Sequence, residues 1–253
     1  MERSRGESDP RLFIIPYRLA SVKRIIAVMS SKGGVGKTVV ATLAALNLAS
    51  KGFKTGLLDL DFTNPSTHLV LGVNPLDYVP EEEKGILPPV IHGVKYLSIA
   101  MYSGDKPLPL RGEGVDNAFR EILAITRWGD LDYLLIDTPP GMGDEHLNLL
   151  TYLGDRVEIV LVSTPSKLAL KSVERLIELL RDGGYKILGL IGNMDDKGLI
   201  EKYCVERRID YLGSIPYDPE FENVLGDLES IRQTIIWNKL DEIVDKLVEI
   251  SRG

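Results

Sequence analysis

The sequence holds a single cysteine, Cys204, in 253 residues. That excludes an internal disulfide and any metal cage built from two or four cysteines of one chain. Histidine is nearly as scarce, with only His68, His92 and His146, scattered singly and read as structural or solvated side chains. No apolar run approaches the roughly 18 residues of a membrane span. The one hydrophobic block near the N-terminus, Leu12 to Ile15, lies between Arg11 and Pro16 and is too short for a signal-peptide core. With no export signal and no cysteine pair, the expected compartment is the cytoplasm. Positive charge is also in deficit, with 30 Lys and Arg against 37 Asp and Glu and a net charge of -7. A protein that coats nucleic acid through its overall charge is therefore not expected.

What is present is an ordinary globular composition, long enough for one large domain or two small ones. From Lys23 onward, short Ile/Val/Leu-rich segments alternate with helical patterns, which predicts strand-helix-strand units. Strands are expected at Arg24 to Met29, Lys54 to Leu60, Val94 to Ala100, Tyr133 to Asp137, Glu158 to Ser163, Ile187 to Asn193 and Asp210 to Leu212. Several are apolar on nearly every residue, which suits strands covered on both faces. The expected fold is α/β, a doubly wound, mostly parallel sheet with helices on both faces, in one domain over residues 23–253.

Three segments stand apart. The first 24 residues carry six basic residues (Arg3, Arg5, Arg11, Arg18, Lys23, Arg24) against three acidic ones (Glu2, Glu7, Asp9), a net +3 that leaves -10 for the remainder. Residues 1–22 are read as a basic arm, either a frayed leader or a docking arm. Residues 74–95 hold Pro75, Pro80, Pro88, Pro89 and the run Glu81 to Glu83, and are expected as an excursion over the sheet edge. A second excursion, Tyr102 to Gly114, holds Pro107, Pro109 and Arg111. At the C-terminus, Ile231 to Arg252 is amphipathic through Ile235, Ile236, Leu240, Ile243, Leu247 and Ile250, with four basic and four acidic residues. A net-neutral helix is weakly drawn to anionic lipid, so packing on the sheet is expected and no membrane insertion.

The strongest motif is Ser30-Ser31-Lys32-Gly33-Gly34-Val35-Gly36-Lys37-Thr38, between a predicted strand and a predicted helix at Val39 to Lys51. Glycines let successive N–H groups point at phosphate oxygens, and the new helix adds its positive N-terminus. Gly33, Gly34, Val35, Gly36, Lys37 and Thr38 are thus candidate nucleotide contacts, Lys37 to the β and γ phosphates and the Thr38 hydroxyl to Mg²⁺. A second box, Leu57-Leu58-Asp59-Leu60-Asp61, puts two carboxylates on one face if the strand persists to Asp61. A third, Ile136-Asp137-Thr138-Pro139-Pro140-Gly141-Met142-Gly143-Asp144, delivers Asp137 to a strand end, where it would hold the Mg²⁺ shell.

The first box, with its second lysine Lys32, resembles the deviant Walker A box of the Mrp/MinD/ParA class of P-loop ATPases. The DTPPGxGD wording at 137–144 resembles the Mrp branch. The resemblance runs from about Lys23 to Gly226 and implies ATP and Mg²⁺ as cofactors and ATP hydrolysis as the activity. It implies that Lys32 reaches the nucleotide of the other subunit in an ATP-stabilised homodimer, and that Asp61 orients the attacking water. Asp59 becomes its structural or Mg²⁺-shell partner. Asn193, in Gly192-Asn193-Met194, resembles the asparagine that binds adenine, and Pro216 and Asp218 belong to the loop that closes over the base.

The resemblance also implies metallocentre assembly, with a metal-delivery or metalloenzyme client. Mrp-like proteins carry a CxxC shortly after the Asn-Met strand. Here that region has Cys204 alone, and a dimer would bring two thiolates where a cluster takes four. A cysteine-free branch resembles the archaeal ATPases of [NiFe] hydrogenase maturation, through residues 18–24, 88–95 and 109–112. The alternative reading is a positioning ATPase like MinD on membranes or ParA on DNA.

Overall fold

In a computed structural model of the chain, residues 9–104, 106 and 110–250 are described. Arg3, Arg5, Pro107, Pro109 and Arg252, which figured in the sequence reading, lie outside them. The strands are β1 (Val22–Met29), β2 (Thr55–Asp59), β3 (Glu81–Glu82), β4 (Ile86–Leu87), β5 (Val90–Ile91), β6 (Val94–Ser98), β7 (Leu131–Asp137), β8 (Val157–Ser163), β9 (Lys186–Asn193) and β10 (Tyr211–Ile215). The helices are α1 (Arg11–Leu19), α2 (Lys37–Ser50), α3 (Thr67–Leu71), α4 (Ala100–Ser103), α5 (Glu113–Ile125), α6 (Asp144–Leu153), α7 (Lys167–Asp182), α8 (Leu199–Arg207), α9 (Phe221–Val224), α10 (Leu228–Ile231) and α11 (Ile235–Ile250).

Among the described residues one sheet of eight strands runs β10-β9-β8-β1-β7-β2-β6-β5. Every pairing in it is parallel except β5 with β6 at the edge. All seven expected strands form, and the doubly wound parallel sheet is the observed fold. β2, β8 and all but the first residues of β1 are buried along their length, as continuous apolar runs require when helices cover both faces. α2 is buried on almost every side and packs on α11, while α1, α5 and α6 form a second helical layer. The buried stripe of α11 is Ile236, Trp237, Leu240, Ile243, Val244 and Leu247, and Lys51 holds Asp241 and Asp245 at 2.8 and 2.7 Å. Ile235 and Ile250, expected on that stripe, are exposed.

The excursion at 74–95 contains a 3-10 turn at Pro75–Asp77, the antiparallel ribbon β3–β4, and β5 on the sheet edge. Prolines 88 and 89 precede β5, where a missing N–H costs the ladder little.

Within the expected basic arm, the described residues 9–22 are folded onto the domain rather than frayed. Residues 11–19 form a helix whose Ile15 and Leu19 are buried. The described basic residues from Arg11 to Arg24 all have partners within the fold. Asp9 accepts from Arg11 at 2.7 Å and from Arg120 of α5 at 2.5 Å, and Arg11 also reaches Glu121 at 3.1 Å. Arg18 donates to the Ala124 carbonyl at 2.9 Å, Lys23 pairs with Asp132 at 2.8 Å, and Arg24 pairs with Glu158. Among the described residues the local positive excess is therefore spent inside the fold. Arg120 also binds Asp116 at 2.8 Å and lies over the Tyr152 ring of α6, so one guanidinium joins α1, α5 and α6. Arg120→Ala is expected to lower the melting temperature by roughly 2–4 °C, read by thermal unfolding, whereas Phe13→Ser on the exposed face of α1 should leave it unchanged.

Candidate functional site

The register of three adjacent strands builds the site. Val28 of β1 pairs with Asp137 of β7, and Asp137 pairs with Asp59 of β2. The loops that follow these strands therefore emerge side by side at one sheet edge, where open α/β sheets bind ligands.

After β1 the chain turns through Gly34 and Gly36, with φ of 76° and 80°, values that favour glycine. Gly36 is the N-cap of α2 and offers no side-chain cap, which leaves the first-turn N–H groups to an anion. A Cβ on Gly33 or Gly34 would meet nothing within 4 Å, so the space over the loop is open. A Cβ on Gly36 would lie 2.1 Å from Asn193 Nδ2, so the loop and the end of β9 are in close contact there. That same nitrogen donates to the Val35 carbonyl at 2.8 Å. Gly141 N donates to the Ser30 carbonyl at 3.0 Å, which ties the 138–143 loop to the glycine loop. Lys32 is exposed.

Lys37 is only 5% exposed and pairs with Asp137 Oδ1, while Thr38 Oγ1 donates to Asp137 Oδ2 at 2.7 Å. Burial pushes the Asp137 carboxyl above its ordinary value, and Lys37 and Thr38 oppose that rise. Asp59 is fully buried behind this pair. Burial, with the neighbouring Asp137 charge, pushes it up to about 7. It accepts from Thr67 Oγ1 at 2.6 Å, Asp61 N at 3.0 Å and Ser98 Oγ at 3.4 Å, and Thr67 Oγ1 bonds the Tyr96 hydroxyl at 2.7 Å. These partners were not legible in the sequence. Thr67, Ser98 and Tyr96 come from α3 and β6, and only the fold brings them to Asp59.

Asp61 does not follow the strand alternation, because β2 ends at Asp59. It sits in a turn, where Oδ1 accepts from Thr63 Oγ1 at 2.8 Å, Asn64 N at 3.0 Å and Thr63 N at 3.2 Å. The local geometry that holds it is thus an Asx-type turn. The next residue, Phe62, is buried against Phe119 of α5 with ring centroids 5.3 Å apart.

Beyond the glycine loop lies a cavity of about 400 Å³, whose walls include Gly36, Val40, Asn193, Pro216, Tyr217 and Asp218. The structure therefore gathers the glycine loop, Lys37, Thr38, Asp59 and Asp137 at one end and Asn193, Pro216 and Asp218 at the other. Cys204 is apart from this assembly, buried on α8, and burial pushes its thiol up to about 12. Among the described residues no group of three or more His, Cys, Asp and Glu side chains is placed to hold a metal ion.

A family model described as ParA, the NUBPL iron-transfer P-loop NTPases, matches residues 21–249. The chain belongs to this family. This P-loop NTPase is 32% identical over 254 residues to the cytosolic Fe-S cluster assembly factor CFD1 of Kluyveromyces lactis, with 90% of this chain and 89% of that protein covered. It is 36% identical to the iron-sulfur cluster carrier protein of Aquifex aeolicus, over 80% of this chain and 60% of that protein. Among solved structures it is similar to a nucleotide-binding protein of Archaeoglobus fulgidus in complex with ADP, with a TM-score of 0.75 and 30% identity over 90% of this chain and 96% of that one. The Pyrococcus furiosus cell division ATPase MinD shares the fold, with a TM-score of 0.66.

Gly36→Ala would combine a strained positive φ with a clash at Asn193. It is expected to weaken nucleotide binding on the order of tenfold, measured by calorimetry, with the melting temperature of the nucleotide-free protein as a check on folding.

Proposed function

We propose that this P-loop NTPase is an ATP-hydrolysing, Mg²⁺-dependent homodimeric switch in metallocentre assembly, acting on a metal centre held by a client protein. The observation that carries the nucleotide part is the three-way contact of Lys37, Thr38 and Asp137 beneath an open glycine loop. Asp137 pairs with the Lys37 ammonium. The β and γ phosphates offer that ammonium stronger acceptors, so binding exchanges one anionic partner for another with no buried cation left unpaired.

The Thr38 hydroxyl and the Asp137 carboxylate, hard oxygen donors within 2.7 Å of each other, fit Mg²⁺ and would hold it. When bound, Mg²⁺ neutralises charge on the phosphate oxygens. Asp59 stands behind Asp137 and holds the end of β2, the role of a structural partner. Asp61 orients the attacking water once its turn is drawn to the γ phosphate. Lys32, exposed at the mouth of the loop, reaches the nucleotide of a second subunit. At the far end, the Asn193 nitrogen is committed to Val35, which leaves the amide oxygen to accept from the adenine amino group. Pro216 and Asp218 flank the base.

The metallocentre part rests on the assembly and carrier relatives. Cys204 does not supply the ligand, because a buried thiol held protonated is a poor one. The cluster or metal therefore belongs to a partner, whether an iron-sulfur scaffold or a nickel carrier of hydrogenase maturation. The positioning-ATPase alternative has less support. The apolar stripe of α11 is buried against the body, and no helix among the described residues is long and apolar enough to cross a membrane.

Asp61→Ala should keep ATP binding and lower turnover by about 100-fold; phosphate release at the wild-type rate would remove Asp61 from the water-orienting role. Anaerobic reconstitution of the isolated chain with iron and sulfide should give no stoichiometric cluster chromophore. A full chromophore, lost in Cys204→Ser, would place the cargo on this chain.

A further inference from the structure

Two acidic residues follow Asn193 and Met194, and no step above uses them. Asp195 is buried. It accepts from Leu199 N and Ile200 N at 2.9 Å each and from Ser214 Oγ at 3.0 Å, and its own N–H donates to the Ile215 carbonyl at 3.0 Å. It thereby fixes the end of β9, the start of α8 and the end of β10 as one frame. Asp196 is exposed, and its Oδ1 accepts from Tyr217 N at 3.0 Å.

Tyr217 lies in the Pro216–Pro219 segment that walls the 400 Å³ cavity. Two prolines remove two of that segment's four N–H groups. Its remaining hydrogen bonds are local, with Asp218 capping Glu220 N at 3.0 Å and Phe221 N at 3.3 Å. Among the described residues the Asp196–Tyr217 bond is the one that joins residues 216–219 to another part of the chain.

We propose that Asp196 is a positioning residue for nucleotide recognition: it holds the Pro216–Pro219 loop as a pre-set wall for the base and so fixes how much the base adds to phosphate affinity. The proposal rests on the nucleotide reading of the site. A wall that is already ordered costs no ordering entropy when the base arrives, whereas a released loop must be ordered at that moment. Triphosphate without a base is gripped at the glycine loop and Lys37 and gains nothing from the wall.

The test is calorimetric binding of ATP and of inorganic tripolyphosphate, both with Mg²⁺, to the full chain and to Asp196→Ala and Asp196→Asn. Asp196→Ala should weaken ATP by roughly 3–10-fold, the scale of one ordinary hydrogen bond, and leave tripolyphosphate within about twofold. Asp196→Asn keeps an oxygen that accepts from Tyr217 N, so it should bind ATP within about twofold of wild type. Equal weakening of both ligands, no weakening of ATP, or an Asn variant as impaired as the Ala variant would overturn the assignment. A wild-type chain that binds neither ligand would overturn the nucleotide reading as well, which separates the two failures.

Discussion

One ammonium and two carboxylates are buried together at the ends of three adjacent strands, and the rest of the molecule is arranged around that constraint. Lys37, Asp137 and Asp59 are 5%, 1% and 0% exposed. A single buried cation cannot neutralise two buried anions at close range, so Asp59 is held toward its neutral form and is surrounded by hydroxyl and N–H donors. The parallel register of β1, β7 and β2 enforces the cluster, and the helices on both faces keep water from it.

The cluster is also mechanically connected. Asp59 binds Thr67 at the start of α3 and Ser98 at the end of β6, and it receives the N–H of Asp61. Phe62, the residue after Asp61, packs on Phe119, so the Asp61 turn touches α5. α5 is joined through Arg120 to α6, which begins where the 138–143 loop ends. A continuous set of packed side chains therefore joins the Asp61 turn to the helical layer of α5 and α6.

The positions of the seven expected strands were legible because parallel strands covered on both faces are written as unbroken apolar runs. The glycine loop and the Asp137 strand end were legible because phosphate chemistry needs glycines, lysine and hydroxyl in fixed order. The condition set for Asp61, a strand that persists that far, is not met, because β2 stops at Asp59 and strand alternation holds only while the strand lasts. The N-terminal charge excess misled because net charge records how many basic residues there are and not what each one touches. Arg11, Arg18, Lys23 and Arg24 all find partners more than 100 positions away in the chain, at Glu121, Ala124, Asp132 and Glu158. The Thr67, Tyr96 and Ser98 partners of Asp59 carry no local signal at all, because three ordinary residues become a network only after folding.

The α1 clasp bears on how the domain boundary should be drawn. Cut the polypeptide ahead of β1 and the nucleotide motifs all survive, yet the buried Ile15 and Leu19 are lost and the surfaces of α5 and α6 that α1 covers are laid bare. Arg156, which donates to the Leu19 carbonyl at 3.1 Å, loses that acceptor, and Asp116 and Arg120 lose Asp9 from their network. Such a trimmed molecule would present an apolar surface along α5 and α6. Self-association through that exposed apolar surface would then be an artefact of trimming.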